Sequence, residues 1–439
     1  MRFFAPRAWL PGRVAADVLI DISAGRFIAV SPAASAPPDA VRLPGLTLPG
    51  FANAHSHAFH RALRGRTHAG GTFWTWRDRM YTVAARLDPD SYLGLARAAY
   101  AEMALAGVTA VGEFHYLHHG PAGVRYADPN AMAEALRQAA VDAGIRLTLL
   151  DACYLAGGLD PAGHLPLDGV QRRFSDGSAG AWAERAGALP ESPGMRVGVA
   201  IHSVRAVPAA DLGTVAGVAG RADRPLHVHL SEQPAENEAC RARYGVTPTR
   251  LLADSGALGA GTTAVHATHL GAGDIELLGG SSTTVCLCPT TEQDLADGLG
   301  PARALRDAGA PLALGSDQHA TIDLLGEARA LEVHERLRSL RRGRFAPDDL
   351  LTALTAHRSI GWPDAGRIEV GRRADLVAVR TDTVRTAGVL PEQIAMAATA
   401  ADVDTVVVDG KVVVAGGRHR LGDIGALLTA SITPLWQDA

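Results

Sequence analysis

Eight short apolar or β-branched runs, each separated from the next by a longer Ala- and Leu-rich segment, constrain the fold of this chain more than any other feature. They are Leu48 to His57, Thr109 to Tyr116, Arg146 to Tyr154, Arg196 to Val204, Pro225 to Glu232, Thr263 to Leu270, Thr284 to Pro289 and Pro311 to Asp317. Short, nearly continuous apolar runs suit parallel strands buried on both faces, and the segments between them have helical spacing. Helix boundaries are marked too. Asp88-Pro89-Asp90 opens a segment that runs to Ala106-Gly107, and Asp128-Pro129-Asn130 opens another that ends at Ala143-Gly144. Eight strands alternating with helices predict an α/β fold, a (β/α)8 TIM-like barrel over residues 48–360.

The two ends of the chain are written differently. Residues 1–47 carry short Val/Ile/Leu runs and turns, and residues 361–439 return to that style, with Asp409-Gly410 between two β-branched runs as a hairpin signal. They predict one small β-sandwich domain built from both ends, and 439 residues suffice for a barrel with such a satellite. A formal charge of -4 with no like-charge block offers no footprint for nucleic acid. The opening Met1 to Arg7 lacks the apolar core of a signal peptide, and no run reaches the roughly 18 to 20 apolar residues of a membrane span. A cytoplasmic protein with neither nucleic-acid nor membrane partners is expected.

On a parallel barrel the loops after the C-terminal strand ends form the mouth, and reactive groups collect there. The first run ends in His55-Ser56-His57, the second in Glu113 to Tyr116, the fourth in His202 and Arg205, the fifth in His227-x-His229 followed by Glu232, the sixth in His266 and His269, and the eighth in Gly315-Ser316-Asp317. One such histidine is unremarkable in a core; their recurrence at the same end of different strands is not. His55 and His57 alternate on an extended run and so share a face. With one of His227 and His229, and with Asp317, they supply three imidazoles and a carboxylate, the donor set of a catalytic zinc site. His229 is preferred to His227 because it lies nearer the strand's end. Glu232, just beyond it, suits a base that serves the ion's water without being a ligand, sharing its proton with Asp317. His266 suits stabilisation of the reacting centre, with His269 as competitor.

Cysteine and lysine limit the alternatives. Cys153, Cys240, Cys286 and Cys288 are too few and scattered for a disulfide framework, and Cys286-x-Cys288 reads as packed strand thiols. Lys411 is the only lysine, so no barrel strand can offer a carbamylated lysine to bridge two ions. One divalent metal ion, zinc, is expected.

These residues resemble the amidohydrolase superfamily: Pro49 to His57 on the first strand, His229-x-x-Glu232, His266 and Gly315-Ser316-Asp317. Further strings, His55 to Phe59, Phe73-Trp74-Thr75-Trp76-Arg77, Glu113 to His119, His202 to Val207 and Val265 to His269, look like the formimidoylglutamate deiminases within its mononuclear branch. The resemblance implies hydrolysis of N-formimino-L-glutamate to N-formyl-L-glutamate and ammonia, by a homodimer that takes a small dicarboxylate substrate. It implies zinc on His55, His57, His229 and Asp317, catalysis by Glu232 and His266, and substrate contacts at Arg77, Tyr116, His202 and Arg205. Arginine's planar fork suits a carboxylate, which gives Arg77, on the loop after the first strand, and Arg205, on the fourth, a physical rationale. At His60 the chain departs from the family, where a glutamine contacts substrate. That departure leaves related formimino or guanidino acids, or a purine or pterin ring, as alternative substrates.

Overall fold

The computed structural model describes residues 1–67 and 70–437. Each of the eight runs contains a strand, and the eight lie in chain order in one parallel sheet: Phe51–Ser56, Val108–His115, Arg146–Cys153, Met195–Ile201, Leu226–Leu230, Thr262–His266, Thr284–Leu287 and Leu312–Leu314. Nearly all their residues are buried, which is why each reads as a continuous apolar run. A parallel bridge from Ser56 to Asp317 joins the last strand to the first, with the His57 N–H donating to Asp317 O at 3.1 Å and the Asp317 N–H to His55 O at 3.0 Å. The barrel therefore closes through the residues singled out for chemistry.

Parallel neighbours need a crossover, and helices supply it. Helix Pro89–Leu105 opens on Asp88, whose carboxylate accepts the Ser91 N–H at 2.8 Å, and helix Ala131–Ala143 ends on Gly144 in the left-handed region.

The first run proves to be two strands. Leu46–Pro49 belongs to a second sheet, and only Phe51–Ser56 enters the barrel. Gly50 is the joint: a Cβ there would lie 2.4 Å from Thr109 Oγ1 and 2.7 Å from Asp375 Cβ. Only glycine fits between them.

The second sheet has nine strands and mixes the two chain ends. Arg2–Leu10 pairs antiparallel with Arg13–Ser23 and parallel with Leu46–Pro49, which in turn pairs antiparallel with Leu376–Val379. The sheet continues through Val403–Val408 to Lys411–Ala415. Between those two strands Asp409 and Gly410 have φ of 47° and 76°, the two positive values of a type I′ turn.

Barrel and sheet are keyed together at the N-terminal ends of the barrel strands. The buried Trp362 ring lies under the guanidinium groups of Arg146, Arg196 and Arg373, at 5.2, 4.9 and 4.7 Å from its centroid. Arg146 also forms a buried two-point ion pair with Asp375, next to strand Leu376–Val379. Breaking such a pair leaves an uncompensated buried charge, so it locks the two parts in register. Among the described residues no helix is long and apolar enough to cross a membrane.

Candidate active site

Four side chains from three strand ends converge at the mouth. Asp317 Oδ1 lies 3.3 Å from His55 Nε2 and 3.4 Å from His57 Nε2, and His55 Nε2 lies 3.1 Å from His229 Nε2. His57 donates through Nδ1 to Phe114 O at 2.9 Å, and His229 through Nδ1 to His202 O at 2.8 Å. With the proton on Nδ1, each ring turns its Nε2 lone pair toward the centre. Burial pushes the His55 imidazole down to about 3 and that of His57 down to about 4, so both are in the neutral, ligating form at neutral pH. Burial by itself would raise the Asp317 carboxyl, but hydrogen bonding to His55 and the charges that His55, His266 and His57 carry in acid hold it well below the usual carboxylate range. Lone pairs facing one another at this distance repel unless a cation lies among them. The donor set fits a divalent ion of mixed N/O preference.

The backbone is strained around this centre. Ser231, His266, Ala267 and Asp317 are non-glycine residues with φ of 50°, 68°, 51° and 42°. Left-handed conformations of this kind cost about 1 kcal/mol or more each, and they gather where surrounding structure enforces a functional geometry. Gly315 allows the closest approach, since a Cβ there would stand 2.8 Å from His55 Cβ and 3.0 Å from Cys288 Sγ.

Beside the centre lies a cavity that mixes polar and apolar side chains, the form expected of a small-molecule site. Ten of the eleven side chains expected at the site line it: His57, His60, Arg77, Tyr116, His202, Arg205, His229, Glu232, His266 and Asp317. His55, fully buried, lies behind them. Apolar side chains, Phe73, Trp76, Met80 and Phe174 among them, supply the remaining wall.

Glu232 presents Oε1 to His266 Nε2 at 3.5 Å and Oε2 to Arg205 Nη2 at 3.6 Å. Burial raises its carboxyl above the ordinary value, against the opposing charges of His266 and Arg205. Burial opposes the charging of His266, yet Glu232, Glu292 and Asp317 together hold it well above the ordinary imidazole value. A carboxyl shifted up beside a cationic imidazole is suited to passing a proton.

Two placements differ from the sequence reading. Arg77 lies on helix Phe73–Arg86, not on a loop; Phe73, Trp76 and Met80 bury one face of that helix, so the aromatic string is an amphipathic turn. Its guanidinium stacks over Trp74, 4.6 Å from the ring centroid, while still lining the cavity. The fourth strand ends at Ile201, so Arg205 occupies the turn beyond it. There its Nε donates to Glu236 Oε2 at 2.8 Å, and Glu236 Oε1 accepts the Ser231 N–H at 2.9 Å. Glu236 thus ties the arginine to the end of the fifth strand.

His60 Nε2 meets Tyr116 OH at 2.8 Å, and its ring centroid lies 4.5 Å from that of His57. The His202 ring packs on Tyr154 at 4.5 Å while its carbonyl holds His229. His227 points the other way, reaching the Ser359 carbonyl with Nε2 at 2.9 Å, and His269 reaches Asp297 O at 2.8 Å outside the cavity lining. Cys286 and Cys288 are buried free thiols. A separate group, His115, His118 and Asp151, has metal-like spacing, but Asp151 accepts from Arg185 at 2.8 and 2.9 Å and from Trp182 at 2.9 Å. With a guanidinium already on its carboxylate, it is a structural ion-pair network.

Sequence reasoning left Glu113 without a role, although a lone acid in an apolar strand is itself a signal. Its oxygens accept the Ser56 hydroxyl and the Ala58 N–H, both at 2.6 Å, and so clamp the segment that carries His55 and His57. Burial pushes this carboxyl up to about 8, against 4.5 ordinarily. The folded state therefore binds a proton that the unfolded state releases above about 4.5, and this contribution to stability fades as pH rises toward 8. Between pH 6 and 8 the parent is expected to lose about 3 °C of melting temperature that Glu113→Gln, a mimic of the neutral acid, does not lose. Parallel melting profiles of the two proteins would refute this.

A sequence profile described as the amidohydrolase family matches residues 46–413. Formimidoylglutamate deiminase of Pseudomonas aeruginosa is 38% identical over 437 residues, covering 95% of each chain. The crystal structure of an amidohydrolase from Brucella melitensis superposes with a TM-score of 0.90 at 32% identity over 99% of both chains. An adenosine deaminase from Xanthomonas campestris, solved with bound zinc, superposes with a TM-score of 0.85 at 25% identity, covering 100% of this chain and 97% of the other. Profile, relatives, barrel and the histidine–aspartate centre at its mouth agree: this chain belongs to the amidohydrolase family.

Proposed function

We propose that the protein is a deiminase that hydrolyses N-formimino-L-glutamate to N-formyl-L-glutamate and ammonia, in the cytoplasm and as a step of histidine degradation. In this reading one zinc ion is held by His55, His57, His229 and Asp317. The observation that carries the reading is the meeting, in one cavity, of that centre, the buried Glu232 and two arginines, Arg77 and Arg205. The 38% identical relative is named for this reaction. A substrate with two carboxylates calls for cationic forks, and arginine supplies them.

A divalent ion at the centre would lower the pKa of a water and polarise the amidine carbon. The remaining work falls to the side chains. Ionised Glu232 takes a proton from the attacking water and, once protonated, delivers it to the terminal amidine nitrogen. His266, cationic among Glu232, Glu292 and Asp317, donates to the oxygen on which negative charge develops. The C–O bond forms; as the carbonyl closes, the remaining hydroxyl proton passes through Asp317 to the same nitrogen, whose bond to carbon breaks, and ammonia leaves while the glutamate nitrogen stays attached. Arg77 and Arg205 hold the two carboxylates, and the apolar wall restricts bulk water.

A second reading, deamination of a purine ring, rests on the aromatic wall of the cavity and on the adenosine deaminase neighbour. Ammonia release measured with N-formimino-L-glutamate, guanidino acids and adenosine, with metal content determined on the same sample, separates the two. The formimino acid is expected to be turned over fastest. Its inertness with metal-replete protein would sink the first reading.

A further inference from the structure

We propose that Glu292 is a positioning residue for His266, fixing its ring plane so that Nε2 faces the reacting atoms. The inference rests on the role given to His266 above and adds a residue to that machinery. His266 closes the sixth barrel strand in a left-handed backbone conformation, φ 68°, followed by Ala267 at 51°. Its Nε2 points to Glu232 at 3.5 Å and Asp317 at 3.9 Å. The other ring nitrogen, Nδ1, is buried without a hydrogen-bond partner, and the carboxylate facing it is Glu292, with Oε1 at 3.6 Å. Glu292 sits on the short helix Pro289–Asp294 after the seventh strand, 2% exposed, and the same Oε1 is held by the Cys288 N–H at 2.9 Å.

The contrast with the neighbouring histidines gives the contact its meaning. His57 and His229 rest their Nδ1 on backbone carbonyls, Phe114 O and His202 O, which suits rings that lend a lone pair to a cation. His266 instead faces its Nδ1 to a carboxylate, which suits a ring that must donate from the opposite nitrogen, because an anion behind an imidazole fixes its orientation. The gap of a few tenths of an ångström is what a small tightening on substrate binding would close.

Two measurements test this. In protein labelled with 15N-histidine, the His266 resonances are identified by their loss in H266N, and the Nδ1 resonance is expected to shift in E292L, which removes the carboxylate that faces it. An unchanged His266 spectrum in E292L would overturn the proposal whatever the substrate proves to be. In steady-state kinetics, on whichever amidine or ring substrate the parent turns over, E292L is expected to lower kcat about 30-fold with KM within about threefold. E292Q, which keeps an acceptor oxygen, recovers most of that loss. In the H266N background E292L should add less than about twofold, since the two act as a unit. An undiminished 30-fold loss in that background, or a kcat for E292L within twofold of the parent, rejects the positioning role. If E292L does not fold, E292N, one methylene shorter, takes its place. Inertness toward N-formimino-L-glutamate counts against the proposed substrate alone, because the His266 spectrum is read without it.

Discussion

Glu232→Gln is expected to lower the rate of ammonia release about a thousandfold while the protein folds and retains its metal. Glutamine has the shape of glutamate and keeps a polar atom toward His266 and toward Arg205, which stand 3.5 and 3.6 Å from the native carboxylate. It cannot accept a proton from water and return it to nitrogen. The donors that converge on the proposed ion are His55, His57, His229 and Asp317, so metal content should stay at the parent level. A variant with a tenth or more of the parent kcat would remove Glu232 from the mechanism. A variant that lost metal in proportion to activity would make it a ligand.

Arg205→Met carries the second large effect, a loss of about 100- to 1000-fold in kcat/KM on a dicarboxylate substrate. Methionine preserves much of the packing of the arginine stem, whose guanidinium lies 5.8 Å from the Phe73 ring centroid, and deletes the fork. The same substitution should cost less than about tenfold on an uncharged amidine or a purine, so the ratio of the two losses reads substrate class directly. Equal losses on both would show that Arg205 acts through Glu232 or Glu236. A pH profile adds a signed check. Arg205 is one of the charges that pull the Glu232 carboxyl down, so its removal moves the Glu232 limb to higher pH.

The barrel was legible because its strands are buried on both faces and so spell themselves out as apolar runs. The same uniformity hid the first boundary: Leu46–Pro49 and Phe51–Ser56 are both wholly buried, and only Gly50 marks the passage from one sheet to the other. Burial also blurred the fourth run, where Ser203 and Val204 continue an apolar string into a turn. The convergent donors were visible because His55-x-His57 and His227-x-His229 carry strand spacing, and choosing His229 needed only its nearness to the strand's end. Glu236 and Glu292 left no local pattern. Each acts on a side chain from a different strand-and-loop unit of the barrel, Arg205 and His266 respectively, and that relation exists only once the chain has folded.

The pairing of Leu46–Pro49 with Leu376–Val379 has a consequence for how the molecule is made. During translation the N-terminal meander emerges with one edge bare, and the strand that covers this edge leaves the ribosome only after the entire barrel has been synthesised. The Ser56–Asp317 seam waits almost as long. Such distant pairings fold slowly, and an uncovered edge strand invites pairing with other chains. That edge therefore stays unpaired through most of the chain's synthesis, and a chain truncated before residue 376 would leave its first sheet open to pairing with other chains.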